Sequence, residues 1–375
     1  MEKGSTYVGL DVHKETIAVA VAEGHGGEVR SLGLIPNRPE AVRKLVRRLG
    51  PAERLVCAYE AGPCGYVLYR CLTRLGARCV VVAPSLVPTK PGDRVKTDRR
   101  DAAKLARLLR SGEVTPIWVP DEEHEALRDL TRAREDARVD LLRARHRLSK
   151  FLLRLGLLPP AGVKPWGVKH RQWLQGLKLV RASQQVVLRE SLLAVEQAQE
   201  RLRRVEAELT EAARTSRHAA VIAALQALRG VGLVTAVTLV AELGDLQRFR
   251  TPREVMAYAG LVPREASSGP RQHRGAITKT GNAHVRHVIV EAAWQYRHAP
   301  GVWGALRQRQ VGQPEAIKAI AWRAQDRLHR RYRRLLGRGK ARQQVVVAVA
   351  RELLGFVWAV AHAVKDGQQT GRGNA

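Results

Sequence analysis

Two aspartates, Asp98 and Asp101, lie three residues apart at the start of the apolar-periodic segment 96–109. Residues at positions i and i+3 share one face of a helix, so both carboxylates can point at one spot. Such a pair is typical of a helix N-terminus, where carboxylates are favoured. The second interpretation is that the pair forms half of an acidic site that holds a divalent metal ion over a phosphodiester. The segment alone favours the first interpretation.

Two further acids end predicted strands, which is where α/β sheets place their chemistry: Asp11 in Thr6–Val12, and Glu60 after Arg54–Tyr59. Four carboxylates within a few ångströms of each other would repel unless divalent cations neutralised them. Mg²⁺ prefers hard oxygen ligands and leaves positions open for phosphate oxygens. The predicted catalytic metal ligands are therefore Asp11, Glu60, Asp98 and Asp101.

The order of predicted elements in residues 1–120 is βββαβαβα, which indicates a mixed sheet with helices on its faces. With the acid spacing, this order resembles the RNase H/RuvC-like nuclease fold. An actin-like sugar-kinase fold also begins with a strand, an aspartate and a turn, but it needs small residues after the aspartate. His13, Lys14 and Glu15 occupy that turn and count against it. His13 itself can touch phosphate or be an ordinary surface histidine.

The charge balance points to a polyanionic partner. Lys and Arg total 65 against 35 Asp and Glu in 375 residues, a formal charge of +30, which favours nucleic acid as that partner. No uninterrupted apolar run approaches the ~18 residues of a membrane span, and the first residues lack a secretion signal. We expect no membrane partner and a cytoplasmic location. The four cysteines, none in a CxxC pair, are expected to be free thiols.

Residues 121–218 are predicted to form a long helical arm. Apolar residues recur every seven positions in 127–155 and again in 188–212, which indicates an antiparallel coiled coil. The intervening segment 156–178 contains Pro159-Pro160, Trp166 and Trp173, so we expect a structured tip. Most of the arginines outside the heptad seam are expected to be solvated.

Residues 219–375 are predicted to form a basic helical domain. Gly230 and Gly232 separate two predicted helices in the outline of a helix-hairpin-helix, whose glycines let backbone N–H groups approach a phosphate. Downstream, Ser267 and Ser268 precede Gly269 in a loop flanked by cations. Such a loop is ordinary as a flexible turn. It also meets the needs of a serine nucleophile that attacks phosphate, with cations to hold the phosphate oxygens.

The cations of this region extend into the segment 323–342, whose apolar residues predict a docked helix that displays its arginines. The apolar segment Val345–Val364 is expected to be a packed helix rather than a membrane span. The residues predicted to contact nucleic acid are Gly230, Gly232, Arg264, Arg271, Arg274, Lys279, Arg330 and Arg334.

Six motifs, in order along the chain, resemble the DEDD transposases of insertion sequences, which are also called bridge recombinases and are related to the Piv/MooV DNA invertases. The motifs are Gly9–Asp11, Tyr59–Pro63, Lys96–Ala102, Gly230–Asp245, Tyr258–Pro263 and Ser267–Asn282. They cover both ends of the chain, with the predicted coiled coil between them.

The resemblance implies an α/β plus α protein with three domains. These are a RuvC-like nuclease domain at 1–120 that binds Mg²⁺, the coiled-coil arm at 121–218, and a helical transposase domain at 219–375. A serine of the last domain would complete a composite site and form a transient phosphoserine link to DNA. Alignment on Gly269 makes this serine Ser268, with Ser267 as the alternative.

The resemblance further implies a non-coding bridge RNA that pairs with donor and target DNA. It also implies dimers or tetramers, in which the acidic site of one protomer faces the serine of another. Two other functions fit the residues. One is a RuvC-like nuclease or Holliday-junction resolvase that uses metal-activated water, and the other is a non-catalytic nucleic-acid-binding protein.

Overall fold

A computed structural model of the chain describes residues 4–88, 97–266 and 273–373, without the side chains of Arg274 and of residues 367–373. The structure divides into two compact units, Met1–Pro120 and Asp121–Ala375. The predicted arm and the predicted C-terminal domain both fall in the second unit, and the three-domain division stays a prediction.

The first unit is a mixed α/β fold, as predicted. Its elements are β1 (Thr6–Val12), β2 (Thr16–Glu23), β3 (Arg30–Pro36), α1 (Pro39–Leu49), β4 (Leu55–Glu60), α2 (Val67–Arg74), β5 (Arg78–Val82) and α3 (Asp98–Ser111). The five strands form one sheet in the order β3-β2-β1-β4-β5. Neighbours β3, β2 and β1 pair antiparallel, whereas β1, β4 and β5 pair parallel.

The sequence pattern predicts the third strand at Glu28–Leu34, and the observed β3 begins two residues later, at Arg30. The turn before it contains Gly26 and Gly27, both at positive φ, which lengthens the β2–β3 connection. The other predicted strands and helices of this unit agree with the observed ones to within a few residues at their ends.

The two faces of the sheet bury different residues. Val8 and Leu10 of β1 face a core shared with α1 and α2, and Tyr7 faces a core shared with α3. Strands β1 and β4 are therefore apolar almost throughout, because both of their faces are covered. The four cysteines are free thiols, as expected, and burial raises the pKa of Cys57 to about 12.

The second unit is mainly helical. Its elements are α4 (Glu122–Arg154), α5 (Val168–Gly176), α6 (Ala182–Thr215), α7 (Ala219–Leu225), α8 (Leu233–Leu243), α9 (Pro252–Tyr258), β6 (Pro263–Glu265), β7 (Arg274–Ile277), α10 (Ala283–Ala293), α11 (Gly304–Gln310), α12 (Glu315–Gly337) and α13 (Arg342–Gly373).

Helices α4 and α6 pack antiparallel along the predicted arm. Arg134 of α4 pairs with Glu206 at 2.7 Å, and Asp140, further along α4, pairs with Arg201, which comes earlier in α6. The apolar seam includes the fully buried Leu148. The packing is that of two apolar faces, and the coiled coil stays a prediction.

Helix α13 lies at the centre of the apolar core of the second unit. By length and composition its segment Arg342–Asp366 could cross a membrane, but half of its most apolar stretch is buried inside the protein. Val345, Val349 and Leu353 are fully buried against other helices of the unit. This burial fits the predicted packed helix.

Candidate active site

A glycine brings the acidic helix onto the sheet. A Cβ atom at Gly9 of β1 would lie 2.1 Å from the carbonyl oxygen of Ala102 and 2.5 Å from the amide nitrogen of Ala106, both in α3. Only glycine allows this approach. Asp98 is one helical turn before Ala102 and therefore lies on the side of α3 that faces the sheet. Asp101 precedes Ala102 directly, so both acids lie at the end of α3 next to the end of β1.

The alternation of side chains along a strand places the other two acids on the same face. Tyr7 and Ala58 belong to the core that α3 covers, and Asp11 and Glu60 follow them at even spacing. Residues an even number apart on a strand share a face. Asp11 and Glu60 therefore lie on the α3 side of the sheet.

The strand register makes these two acids neighbours. Strands β1 and β4 run parallel, and Leu10 is the partner of Tyr59. Asp11 and Glu60 are the next residues on their strands. The backbone therefore brings together the ends of β1 and β4 with the start of α3, where all four predicted metal ligands lie.

A histidine stands between two of the acids. His13 Nε2 is 3.4 Å from Asp11 Oδ2 and 3.5 Å from Asp98 Oδ1. Burial raises the pKa of Asp11, and the negative charges of Asp98 and Asp101 raise it further, whereas His13 lowers it. The net shift is upward, and burial is its largest cause.

The donor set fits a divalent cation. Asp11 Oδ2, Asp98 Oδ1 and His13 Nε2 lie within 4.8 Å of one another. Carboxylate oxygens are the ligands that Mg²⁺ and Mn²⁺ prefer, and imidazole is a further ligand for Mn²⁺ and later metals. Burial and repulsion between carboxylates raise the pKa of Asp11, and a bound cation would offset both effects.

The predicted serine nucleophiles lie outside the described residues. So does Arg271, whereas Arg264 is exposed in β6 and Arg274 begins β7. Strands β6 and β7 form a hairpin, which the sequence did not predict, and the amide of Ala266 donates to the carbonyl of His273. In the sequence, both serines come between these two strands.

The base of this hairpin is closely packed. Gly260 and Gly281 both have positive φ, and a Cβ at either would lie 2.2 Å or less from a carbonyl oxygen of the other segment. The amide of Lys279 donates to the carbonyl of Gly260, and Lys279 adopts a left-handed φ of 57°. This conformation is costly for a residue with a Cβ. The backbone of the exposed Lys279 is thus fixed by its contact with Gly260.

A buried carboxylate, which sequence reasoning missed, connects α4 to the start of α10. Glu242 of α8 is fully buried and accepts hydrogen bonds from Arg132 Nε at 2.9 Å and Asn282 Nδ2 at 2.7 Å. Arg128 Nε lies 3.4 Å away. Asn282 also caps α10, since its Oδ1 accepts from the amide of Val285. The signal in the sequence was an acid inside the apolar run of α8.

The predicted phosphate-binding glycines differ in their surroundings. Gly230 has φ +81°, and a Cβ there would lie 2.3 Å from the carbonyl oxygen of Ala292, so this glycine permits close helix packing. Gly232 is the N-cap residue of α8 and borders an open cleft of about 770 Å³. Arg309 lines that cleft, and its buried Nε has no hydrogen-bond partner among the described residues. Sequence reasoning missed Arg309.

The predicted cations of α12 are partly engaged within the protein. Arg330 forms an ion pair with Asp326, whereas Arg334 is exposed. Two neighbours on the helix, Arg327 and Arg331, both pair with Glu352 of α13. These ion pairs attach α12 to α13 and leave a cationic outer surface.

The first unit is a mixed sheet with one acid at the end of each of two adjacent parallel strands, and the helix that covers them carries two more acids. This arrangement is consistent with the RNase H-like class of nucleic-acid enzymes.

Comparison with known proteins supports this class. A model of the DEDD transposases of IS110 matches residues 8–156, and one described as "Transposase IS116/IS110/IS902 family" matches residues 222–306.

Three relatives extend this result. The chain is 45% identical to transposase y4qE of Sinorhizobium fredii, over 96% of this chain and 89% of the relative. It is 35% identical to the transposase for insertion sequence element IS1533 of Leptospira borgpetersenii, over 89% of this chain and 97% of the relative. It is 22% identical to the pilin gene-inverting protein of Moraxella lacunata, over 72% of this chain and 67% of the relative. The chain belongs to the IS110 family of transposases, enzymes that cut and rejoin DNA.

Proposed function

We propose that this transposase cuts and rejoins DNA strands with a serine nucleophile, Ser268, and with Mg²⁺ held by Asp11, Glu60, Asp98 and Asp101. The observation that supports the metal site is that ligand atoms of Asp11, Asp98 and His13 lie within 4.8 Å of one another. Ser267 is the alternative nucleophile.

The proposed chemistry is a pair of transesterifications. The hydroxyl oxygen of Ser268 forms a bond to phosphorus, its proton leaves, and the bond from phosphorus to the leaving nucleotide oxygen breaks, with that oxygen taking a proton. A hydroxyl of the second DNA end then attacks the phosphoserine, and the serine is restored. Mg²⁺ would supply charge for the phosphate oxygens and for the leaving oxygen.

The basic surface of the second unit would hold the DNA. The positions proposed for this are Gly230, Gly232, Arg264, Arg271, Arg274, Lys279, Arg330 and Arg334. Exposure of Arg264, Lys279 and Arg334 supports this proposal. Gly230 contributes indirectly, by letting helices pack closely, and Arg309 beside Gly232 is an added candidate.

Guidance by a non-coding bridge RNA would account for part of the +30 charge. We also propose that α4 and α6 form a coiled coil, that α7 and α8 act as a helix-hairpin-helix, and that the protein works in the cytoplasm as a homodimer or homotetramer. The similarity to a pilin gene-inverting protein supports a recombination reaction of this general kind.

The test is a search for covalent protein–DNA adduct with substrate DNA and Mg²⁺. We expect adduct with wild type and with Ser267→Ala, and none with Ser268→Ala. Adduct that persists in Ser268→Ala but not in Ser267→Ala would move the nucleophile to Ser267. DNA cleavage without adduct in wild type would favour a nuclease or resolvase that uses metal-activated water. Binding without cleavage would favour a non-catalytic protein.

A further inference from the structure

His13 lies in the turn between β1 and β2, and its backbone is fixed on both sides. Its amide donates to the carbonyl of Thr16 at 2.9 Å, and its own carbonyl accepts from Asn37 Nδ2 at 2.8 Å. The side chain is half exposed, at 51%. A surface histidine without a role would be expected to point its ring into solvent.

The ring instead faces two carboxylates at nearly equal distances. Its Nε2 is 3.4 Å from Asp11 Oδ2 and 3.5 Å from Asp98 Oδ1. Charge-assisted hydrogen bonds are shorter, at about 2.7–2.9 Å. Neighbouring ligand atoms of an octahedral ion with bonds of about 2.1 Å are about 3 Å apart. The contacts of Nε2 are longer than such hydrogen bonds, and the three atoms lie within 4.8 Å of one another, close enough for one ion to contact all three.

We propose that His13 Nε2 is a protein ligand of the divalent ion held by Asp11 and Asp98. The inference rests on the metal site proposed above and adds a nitrogen donor to it. Among the described residues, no second histidine shares this cluster.

The nitrogen changes which ion the site prefers. Carboxylate and water ligands suit Mg²⁺ and Mn²⁺ alike, whereas imidazole adds affinity for first-row transition metals. The site is therefore expected to bind Mn²⁺ more tightly than Mg²⁺, and His13 is the group responsible. Replacing His13 lowers Mn²⁺ affinity by at least about tenfold, the lower end of what loss of a metal-site partner costs. Mg²⁺ affinity falls by a smaller factor.

The experiment uses the full chain with Mn²⁺ alone as the probe. Electron spin-echo measurements detect ¹⁴N nuclei bonded to Mn²⁺, and calorimetry gives the Mn²⁺ and Mg²⁺ affinities. The test variant is His13→Gln, and the matched control is His25→Gln, an exposed histidine of the same unit. Asp11→Asn shows which bound Mn²⁺ belongs to the site. Circular dichroism checks that each variant is folded.

We expect a ¹⁴N signal in wild type and in His25→Gln that disappears in His13→Gln, together with the fall in Mn²⁺ affinity. Mn²⁺ binding that depends on Asp11 but gives no ¹⁴N signal in wild type would overturn the role of His13 and leave the proposed metal site standing. A ¹⁴N signal that survives in His13→Gln would also overturn it. Mn²⁺ binding that is unchanged in Asp11→Asn would overturn the proposed metal site together with this inference.

Discussion

The two units of the protein both contain carboxylates that are partly or fully buried, but they neutralise them differently. In the second unit, Glu242 has two arginines and Asn282 around it. In the first unit, Asp11 and Asp98 both face the imidazole of His13. Among the described side chains, the first arrangement joins one acid to two arginines, whereas the second joins two acids to one histidine. We call the second arrangement the unbalanced cluster.

The pKa shifts express the same difference. Burial alone would raise the pKa of both Asp11 and Glu242. For Glu242, hydrogen bonds from Arg132 and Asn282 and the charges of the arginines outweigh burial, and its pKa is lowered. For Asp11, burial and the nearby acids together outweigh the charge of His13, and its pKa is raised. A carboxylate whose raised pKa its neighbours do not offset is a candidate functional group, whereas the partners of Glu242 fit a structural link.

The largest effect is expected from the unbalanced cluster. Asp98→Asn removes one proposed metal ligand and with it several kcal/mol of transition-state stabilisation, so DNA cleavage falls at least about a hundredfold. Thermal stability changes little, because the lost repulsion with Asp11 offsets the lost contact with His13 and the lost charge at the helix N-terminus. A DNA-cleavage assay and thermal unfolding check both outcomes. Asp136→Asn, an exposed acid of α4, is the control. DNA cleavage by Asp98→Asn at the wild-type rate would show that Asp98 is not a ligand of the catalytic metal.

The balanced carboxylate is expected to affect stability instead. Glu242→Gln leaves Arg128 and Arg132 without their counter-charge and lowers the free energy of unfolding of the second unit by about 3–5 kcal/mol. Chemical denaturation measures this loss. Glu315→Gln breaks an exposed pair with Lys318 and costs less than about 1 kcal/mol. Equal effects of the two variants would show that the buried network is not a structural link.

The same network gives stability a pH dependence. Because the folded pKa of Glu242 is below its ordinary value of 4.5, its contribution is fully present above that value. The contribution is lost as pH falls from about 4.5 through the folded pKa. We therefore expect the stability difference between wild type and Glu242→Gln to be constant near neutral pH and to shrink in acid. A difference that grew in acid would contradict this.

Gly9 connects the fold to the unbalanced cluster. Gly9→Ala forces α3 away from β1, and such overpacking costs about 1–3 kcal/mol. Because Asp98 and Asp101 move with α3, Mg²⁺ affinity is expected to fall although no acid is changed. Calorimetry with Mg²⁺ measures this. Gly176→Ala, which meets no atom within 4 Å, is the control. Unchanged Mg²⁺ affinity in Gly9→Ala would show that the contact between Gly9 and α3 does not position the proposed metal ligands.

The smallest effect is expected at Lys279. Lys279→Gly relieves its left-handed backbone and raises stability by about 1 kcal/mol. It also removes one proposed phosphate contact, so the slope of log DNA affinity against log salt falls by about one. Lys279→Ala keeps the backbone cost but loses the contact. Stability and DNA affinity that changed in the same direction in Lys279→Gly would contradict the proposed role.

Local patterns predicted the first unit well, because strand alternation and helix periodicity act over a few residues. The same alternation places Asp11 and Glu60 on one face of the sheet. The contacts of Gly9 with Ala102 and Ala106 depend on distant segments and could not be read from spacing. For the same reason the sequence left the role of His13 open.

The second unit was harder to predict. The short strands β6 and β7 lack a long alternating pattern, and the partners of Glu242 come from α4 and the start of α10. The predicted serines lie outside the described residues. Their role therefore rests on motif order rather than on geometry.

The most direct test of the contrast between the two units is Mg²⁺ binding by the full chain, measured by calorimetry. Asp11→Asn and Asp98→Asn are compared with wild type and with Asp136→Asn. We expect wild type and Asp136→Asn to bind Mg²⁺ alike, and both site variants to lose that binding. Equal Mg²⁺ binding by all four proteins would contradict the assignment of the unbalanced carboxylates as a metal site.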